Sequence, residues 1–135
     1  RPEGVYVNLA MSRPHPAATV TAFAPGAGRL DVRARRGGTY FLRPPAWSDR
    51  SGWALRRDGV TAPALWGGPR QAYVICRDVR PGEELSLTWP VPAFTQVFAA
   101  RSVPGRDTRV TTRWVGSQVV DAEPRGEHLP LFSPR

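Results

Sequence analysis

Proline or glycine interrupts this chain almost everywhere: 15 prolines and 13 glycines are scattered along 135 residues, and few windows of twelve residues escape both. Proline removes a backbone donor and clashes inside a helix, and glycine costs about 1 kcal/mol against alanine there. Long helices are therefore excluded. What survives such punctuation is a series of short strands, and period-two alternation recurs along the chain.

In Val5-Tyr6-Val7-Asn8-Leu9 the odd positions face a core, and residues 18–24 form a second strand closed by Pro25-Gly26. Residues 29–35 place Leu30, Val32 and Ala34 on one side and Asp31, Arg33 and Arg35 in water. Thr39-Tyr40-Phe41-Leu42-Arg43 ends at Pro44-Pro45, which cannot donate to a central ladder. Asp58-Gly59 is a tight hairpin signal after residues 53–56. Residues 62–70 read as a Pro/Gly loop carrying Leu65 and Trp66, followed by a strand over 71–76. Arg80-Pro81-Gly82-Glu83 has the residues of a type II turn, which predicts a hairpin into a strand over 84–89. Strands are further expected at 94–103, at 108–114 and 118–121 around Gly116-Ser117, and at 128–132.

About nine short strands separated by turn signals predict an all-β, two-layer antiparallel β-sandwich of jelly-roll type, with little or no helix. At 135 residues the expectation is a single β-sandwich domain over 1–135. No apolar run approaches the roughly 20 residues of a membrane span, so no membrane partner is expected. The chain starts at Arg1 rather than Met, which points to a domain excised from a longer protein.

The net charge of +8 comes from 19 arginines, no lysine and 11 acids. Such a charge ordinarily raises nucleic acid as a partner. The complete absence of lysine, alongside abundant Ala, Gly, Pro and Val, reads instead as the bias of a GC-rich genome, and nucleic acid is disfavoured.

Nucleophilic catalysis needs a supported Ser, Cys or Thr, yet there is no Gly-x-Ser-x-Gly elbow, and the only histidines, His15 and His128, lie in a loop and near the carboxyl end. Cys76 is the one cysteine, so neither an internal disulfide nor a ligand-spaced zinc site is expected. Glu83-Glu84 is the only adjacent acid pair, but neighbours on a strand face opposite ways and the turn predicts solvent. No catalytic residue, metal ligand or cofactor is assigned. Of the five tryptophans, Trp89 and Trp114 fall on the inward side of their strands. Trp66 in its loop and Trp47 at a strand end are the candidate carbohydrate-binding residues, because an indole face stacks on the apolar face of a sugar.

The run Tyr40-Phe41-Leu42-Arg43-Pro44-Pro45-Ala46-Trp47 resembles a motif in the carboxyl-terminal sandwich of bacterial β-L-arabinofuranosidase-type glycoside hydrolases. The turn Arg57-Asp58-Gly59, the strand Ala72-Tyr73-Val74-Ile75-Cys76-Arg77 and the stretch from Arg80-Pro81-Gly82-Glu83 to Trp89-Pro90 follow in the family's order. So do Arg113-Trp114-Val115-Gly116, Pro124-Arg125-Gly126 and Leu129-Pro130-Leu131-Phe132. Ala72 replaces the family's glycine, and Asp78-Val79 lacks the aromatic expected after Arg77. The resemblance implies a non-catalytic accessory domain whose partner is the catalytic barrel of the same parent chain. In that family the catalytic glutamate and a cysteine-bound zinc belong to the barrel, and no position here matches them. A free-standing carbohydrate-binding module is the alternative.

Overall fold

The computed structural model describes residues 4–8, 10–23, 27–103 and 106–124. The chain divides into two compact units, Arg1–Pro90 and Val91–Arg135. Among the described residues no helix is long and apolar enough to cross a membrane, and only 3-10 turns interrupt the strands.

In the first unit, β1 (Val5–Val7), β5 (Gly38–Leu42), β9 (Tyr73–Val79) and β8 (Leu65–Gly67) form a four-stranded sheet in the order β1-β5-β9-β8. The strands β2 (Arg13–His15), β3 (Ala18–Ala22), β4 (Arg29–Ala34), β10 (Glu84–Thr88), β6 (Ala54–Arg57) and β7 (Val60–Ala62) form a six-stranded sheet in the order β2-β3-β4-β10-β6-β7. All pairs are antiparallel except β1 with β5. The fold is the expected all-β sandwich.

Alternation builds its core. Leu30 and Val32 on β4, Leu85 and Leu87 on β10, and Leu55 on β6 are all but inaccessible, and Tyr40, Leu42, Val74 and Cys76 face them from the other sheet. Burying each such leucine or valine stabilises the fold by about 1.5–3 kcal/mol. Trp89 continues the inward series of β10 and is buried, as its position predicts, although its indole N–H finds no partner among the described residues.

The hairpin between β6 and β7 turns at Asp58 and Gly59, both with positive φ, +47° and +78°. This is the type I′ geometry that Asp-Gly predicts. A Cβ at Gly59 would meet open space, so only backbone conformation restricts the site. Gly59→Val should destabilise by about 1 kcal/mol or more through that strain. An unchanged melting temperature would contradict the turn's role.

The turn at 80–83 also forms, with Gly82 at φ +89° and Glu83 N–H donating to Arg80 O at 3.1 Å. It makes no hairpin, since β9 and β10 lie in different sheets. Gly82 N–H donates to Ala34 O and Ala34 N–H to Glu83 O, at 2.7 and 2.9 Å. These bonds capture the turn at the end of β4 and send the chain across to the six-stranded sheet. A second difference is β8, formed inside the expected loop. The three residues Leu65–Gly67 are too few to show a period, and pairing with β9 decides their conformation.

The second unit is a meander of β11 (Ala93–Val103), β12 (Arg106–Val115) and β13 (Gln118–Glu123). Gly116, at φ +61°, turns β12 into β13 as expected. Trp114 is half-buried and stacks on Phe94 with centroids 5.9 Å apart. The expected turn at Pro25-Gly26, His128 and the expected element at 128–132 lie outside the described residues.

Candidate functional site

Trp66 sits on β8, half-buried, and the segment after β5 folds over it. Pro44 and Pro45 end β5 by withholding donors. A 3-10 turn at Arg50–Gly52 then places the Arg50 guanidinium carbon 4.2 Å from the Trp66 ring centroid, and the Trp53 ring lies 4.8 Å away, tilted by 38°. Trp53 Nε1 donates to Ser48 Oγ at 2.9 Å, and Ser48 Oγ donates to Pro90 O at 3.1 Å, which fixes the loop. Asp49 caps the turn through Ser51 N–H, a bond that holds its carboxyl below the usual range. Trp47 is 36% exposed. Among the described residues, ring contact joins Trp66 to Trp53 and not to Trp47. A sugar stacking on the Arg50 side of Trp66 would have to displace a guanidinium held there by a cation–π attraction.

The acid pair separates as the strand period requires, but its burial differs from expectation. Glu84 is exposed, whereas Glu83 points inward and its side chain is only 8% accessible. Arg57 Nε donates to Glu83 Oε1 at 2.5 Å, and Arg80 N–H donates to Oε2 at 2.8 Å. The Arg57 bond, with a smaller contribution from Arg80, outweighs burial and holds this carboxyl below its ordinary value. Arg57 also donates to the carbonyls of Arg77 and Asp78, at 3.0 and 3.3 Å. Glu83 thus ties β6 to the end of β9. A carboxylate engaged on both oxygens and kept ionised is a poor general acid.

Burial pushes the Cys76 thiol up to about 11, with Arg57 opposing and Glu83 adding to the effect. At neutral pH it is a protonated packing residue. Among the described residues no group of three or more His, Cys, Asp or Glu could hold a metal ion. The donors among the described residues therefore do not fit the zinc that the resemblance assigns to the barrel. His15, expected in a loop, instead ends the strand β2; it is exposed, and its Nδ1 accepts the N–H of Ala17 at 3.2 Å across the turn into β3.

A shallow depression of about 340 Å³ lies on the outer side of the six-stranded sheet, with Arg29, Arg56, Glu84 and Ser86 in its wall. Arg29 pairs there with Asp31 at 2.7 Å, and Ser86 Oγ donates to the same carboxylate, also at 2.7 Å. The outer side of the four-stranded sheet is different in kind. Phe41 pairs with Tyr6 on β1 and with Ile75 on β9, so all three side chains share that face. Tyr6 stacks on Phe41 with centroids 4.3 Å apart and planes 4° from parallel, and Tyr73 meets them edge-on at 5.4 and 6.2 Å. Glycine makes room for these rings, since a Cβ at Gly68 would come within 3.0 Å of Tyr73 and one at Gly4 within 3.0 Å of Phe41. Packed together in this way, Tyr73 is buried and Tyr6 and Phe41 are half-buried. Their signal was present in Tyr40-Phe41-Leu42 and Tyr73-Val74-Ile75-Cys76, where consecutive apolar residues put apolar groups on both faces of a strand.

No known family profile and no curated protein matches this chain. Solved structures do. A glycoside hydrolase matches over 76% of this chain and 17% of its own, with a TM-score of 0.50 and 16% identity. A GH127 β-arabinofuranosidase matches over 84% of this chain and 22% of its own, with a TM-score of 0.51 and 16% identity. A GH127 β-L-arabinofuranosidase from Geobacillus stearothermophilus T6 matches over 76% and 16%, with a TM-score of 0.49 and 22% identity. The chain thus spans 16–22% of the length of the proteins it matches. Its fold is one that GH127-type glycoside hydrolases carry as a small part of a much longer chain.

Proposed function

We propose that this chain is a non-catalytic accessory β-sandwich domain of a glycoside hydrolase-like multidomain protein, packed against a catalytic domain of the same parent chain. The observation that carries this reading is the lopsided coverage: 76–84% of this chain corresponds to 17–22% of two glycoside hydrolases. The internal engagement of Glu83 supports it, because the only adjacent acid pair is split between a buried structural bridge and an exposed strand face. The purified chain should release no aglycone from a panel of aryl glycosides that includes aryl β-L-arabinofuranosides. Turnover abolished by Glu83→Gln or Glu84→Gln would overturn the reading.

A carbohydrate-binding module is the second reading, favoured by the exposure of Trp47. Calorimetric titration with arabino-oligosaccharides separates the two. An accessory domain gives no heat of binding, and a module gives heat that Trp47→Ala or Trp66→Ala removes.

A further inference from the structure

An unpaired sheet edge is a template for another strand unless something blunts it, and short length, proline and charge are the usual protections. Among the described residues the edge strands β1, β2, β7 and β8 are each three residues long, β2 contains Pro14, and β13 carries Asp121 and Glu123. The edge strand β11 has none of these protections over residues 93–99. That run, Ala-Phe-Thr-Gln-Val-Phe-Ala, holds no proline, glycine or charge, and every residue in it is exposed. Val97 is 57%, Phe94 45% and Phe98 40% exposed.

Register decides which backbone groups this edge offers. Gly116 N–H donates to Pro92 O at 2.8 Å, and the ladder with β12 runs without a shift from Ala93 opposite Val115 to Arg101 opposite Asp107. The even residues of β11 therefore make its hydrogen-bonded pairs with β12, and Ala93, Thr95, Val97 and Ala99 aim their N–H and C=O groups the other way. No strand among the described residues meets them. The run also reads nearly alike in both directions about Gln96, with the β-branched Thr95 and Val97 as mirror positions.

We propose that β11 pairs antiparallel with β11 of a second copy across a two-fold axis at Gln96, joining the two three-stranded sheets into one. This goes beyond the accessory-domain reading and does not depend on it. Ala93 then lies opposite the partner's Ala99 and Thr95 opposite the partner's Val97, each pair exchanging both hydrogen bonds. Phe94 meets the partner's Phe98 in the non-hydrogen-bonded pairs, whose Cα atoms are about 4.5 Å apart and whose side chains lie closest. Aromatic pairs directly opposite one another stabilise a sheet. The near-palindrome selects the occupant, because a two-fold contact must be complementary to itself. Moving the axis by one residue either way sets a phenylalanine against Gln96 and breaks both aromatic pairs.

Sedimentation equilibrium of this chain should give twice the monomer mass at high concentration and the monomer mass on dilution. Residue-resolved hydrogen exchange should show the Thr95, Val97 and Ala99 amides protected in the concentrated sample and exchanging several-fold faster in the dilute one. Phe94, Gln96 and Phe98, already bonded to β12, should barely change. Val97→Lys keeps every bond to β12 and should weaken the dimer several-fold, because charge on an edge opposes pairing and the two lysines approach each other across the axis. Val120→Lys, at a 38% exposed position on the opposite edge strand β13, should leave the dimer unchanged. Circular dichroism checks that Val97→Lys is folded; if it is not, exchange in the unaltered chain decides alone. A chain that is monomeric at every concentration overturns the proposal. So does a dimer whose Thr95, Val97 and Ala99 amides exchange freely, or one that a folded Val97→Lys leaves intact. Protection of those amides in a monomer gives the edge to another segment of the same chain and overturns it too.

Discussion

Truncating Tyr40 to alanine will lower stability by about 4 kcal/mol, within the range for losing a large aromatic side chain from a core. Tyr40 is fully buried on β5, with Cys76 opposite it on β9 and Val5 on β1. Its hydroxyl reaches the carbonyls of Ala17 and Arg36, each at 2.8 Å, and shares its one proton between them. Those carbonyls precede β3 and follow β4, so one side chain fastens the four-stranded sheet to the rim of the six-stranded one. Tyr40→Phe separates the two contributions. It keeps the ring and should cost only about 1 kcal/mol, because Ala17 O still accepts the N–H groups of Arg35 and Arg36, at 2.9 and 3.2 Å. Urea unfolding of both variants, at unchanged m-value, measures the difference. A phenylalanine variant as unstable as the alanine one would place the stabilisation in the hydroxyl rather than in packing.

Arg57→Ala should be the most damaging change to a charged residue, at about 2 kcal/mol. Removing one partner of a fully buried pair costs about 3–5 kcal/mol, and solvent screening lowers the figure here because the Arg57 side chain is 33% exposed. The loss would strand the Glu83 carboxylate and release the Arg77 and Asp78 carbonyls. The pH dependence identifies the mechanism. Since the folded state holds the Glu83 carboxyl below its usual value of 4.5, the bridge contributes fully above about that pH and is lost as pH falls through the lower folded value. In Arg57→Ala the largest cause of that depression is gone while burial still opposes ionisation, so the acid-side fall in stability should shrink. Melting temperatures of both proteins at pH 7 and pH 3 test this, and equally steep losses would refute it.

How far the chain could be read in advance depended on the range over which each property is set. Strands β4 and β10 follow from alternation within six and five residues, and the type I′ turn from the two residues Asp58-Gly59. The likeness to a glycoside hydrolase sandwich, carried in the sequence by short motifs such as Arg43-Pro44-Pro45-Ala46-Trp47, agrees with the fold of the solved structures. The turn at Pro81-Gly82 was equally legible, but the hairpin it suggested does not form.

The sequence by itself determined strands such as β4 and β10, the turn at Asp58-Gly59 and the exclusion of long helices, because side-chain alternation and allowed φ values are properties of the local covalent geometry. Only the tertiary structure decided which sheet each strand joins, that Glu83 is buried, that Arg50 covers Trp66, and that the rings of Tyr6, Phe41 and Tyr73 gather on one outer face. Glu83 and Arg57 stand 26 residues apart, and Asn8 accepts the Tyr73 hydroxyl across 65. Such pairings depend on which distant segments compete for the same neighbour, and no local pattern records the outcome of that competition.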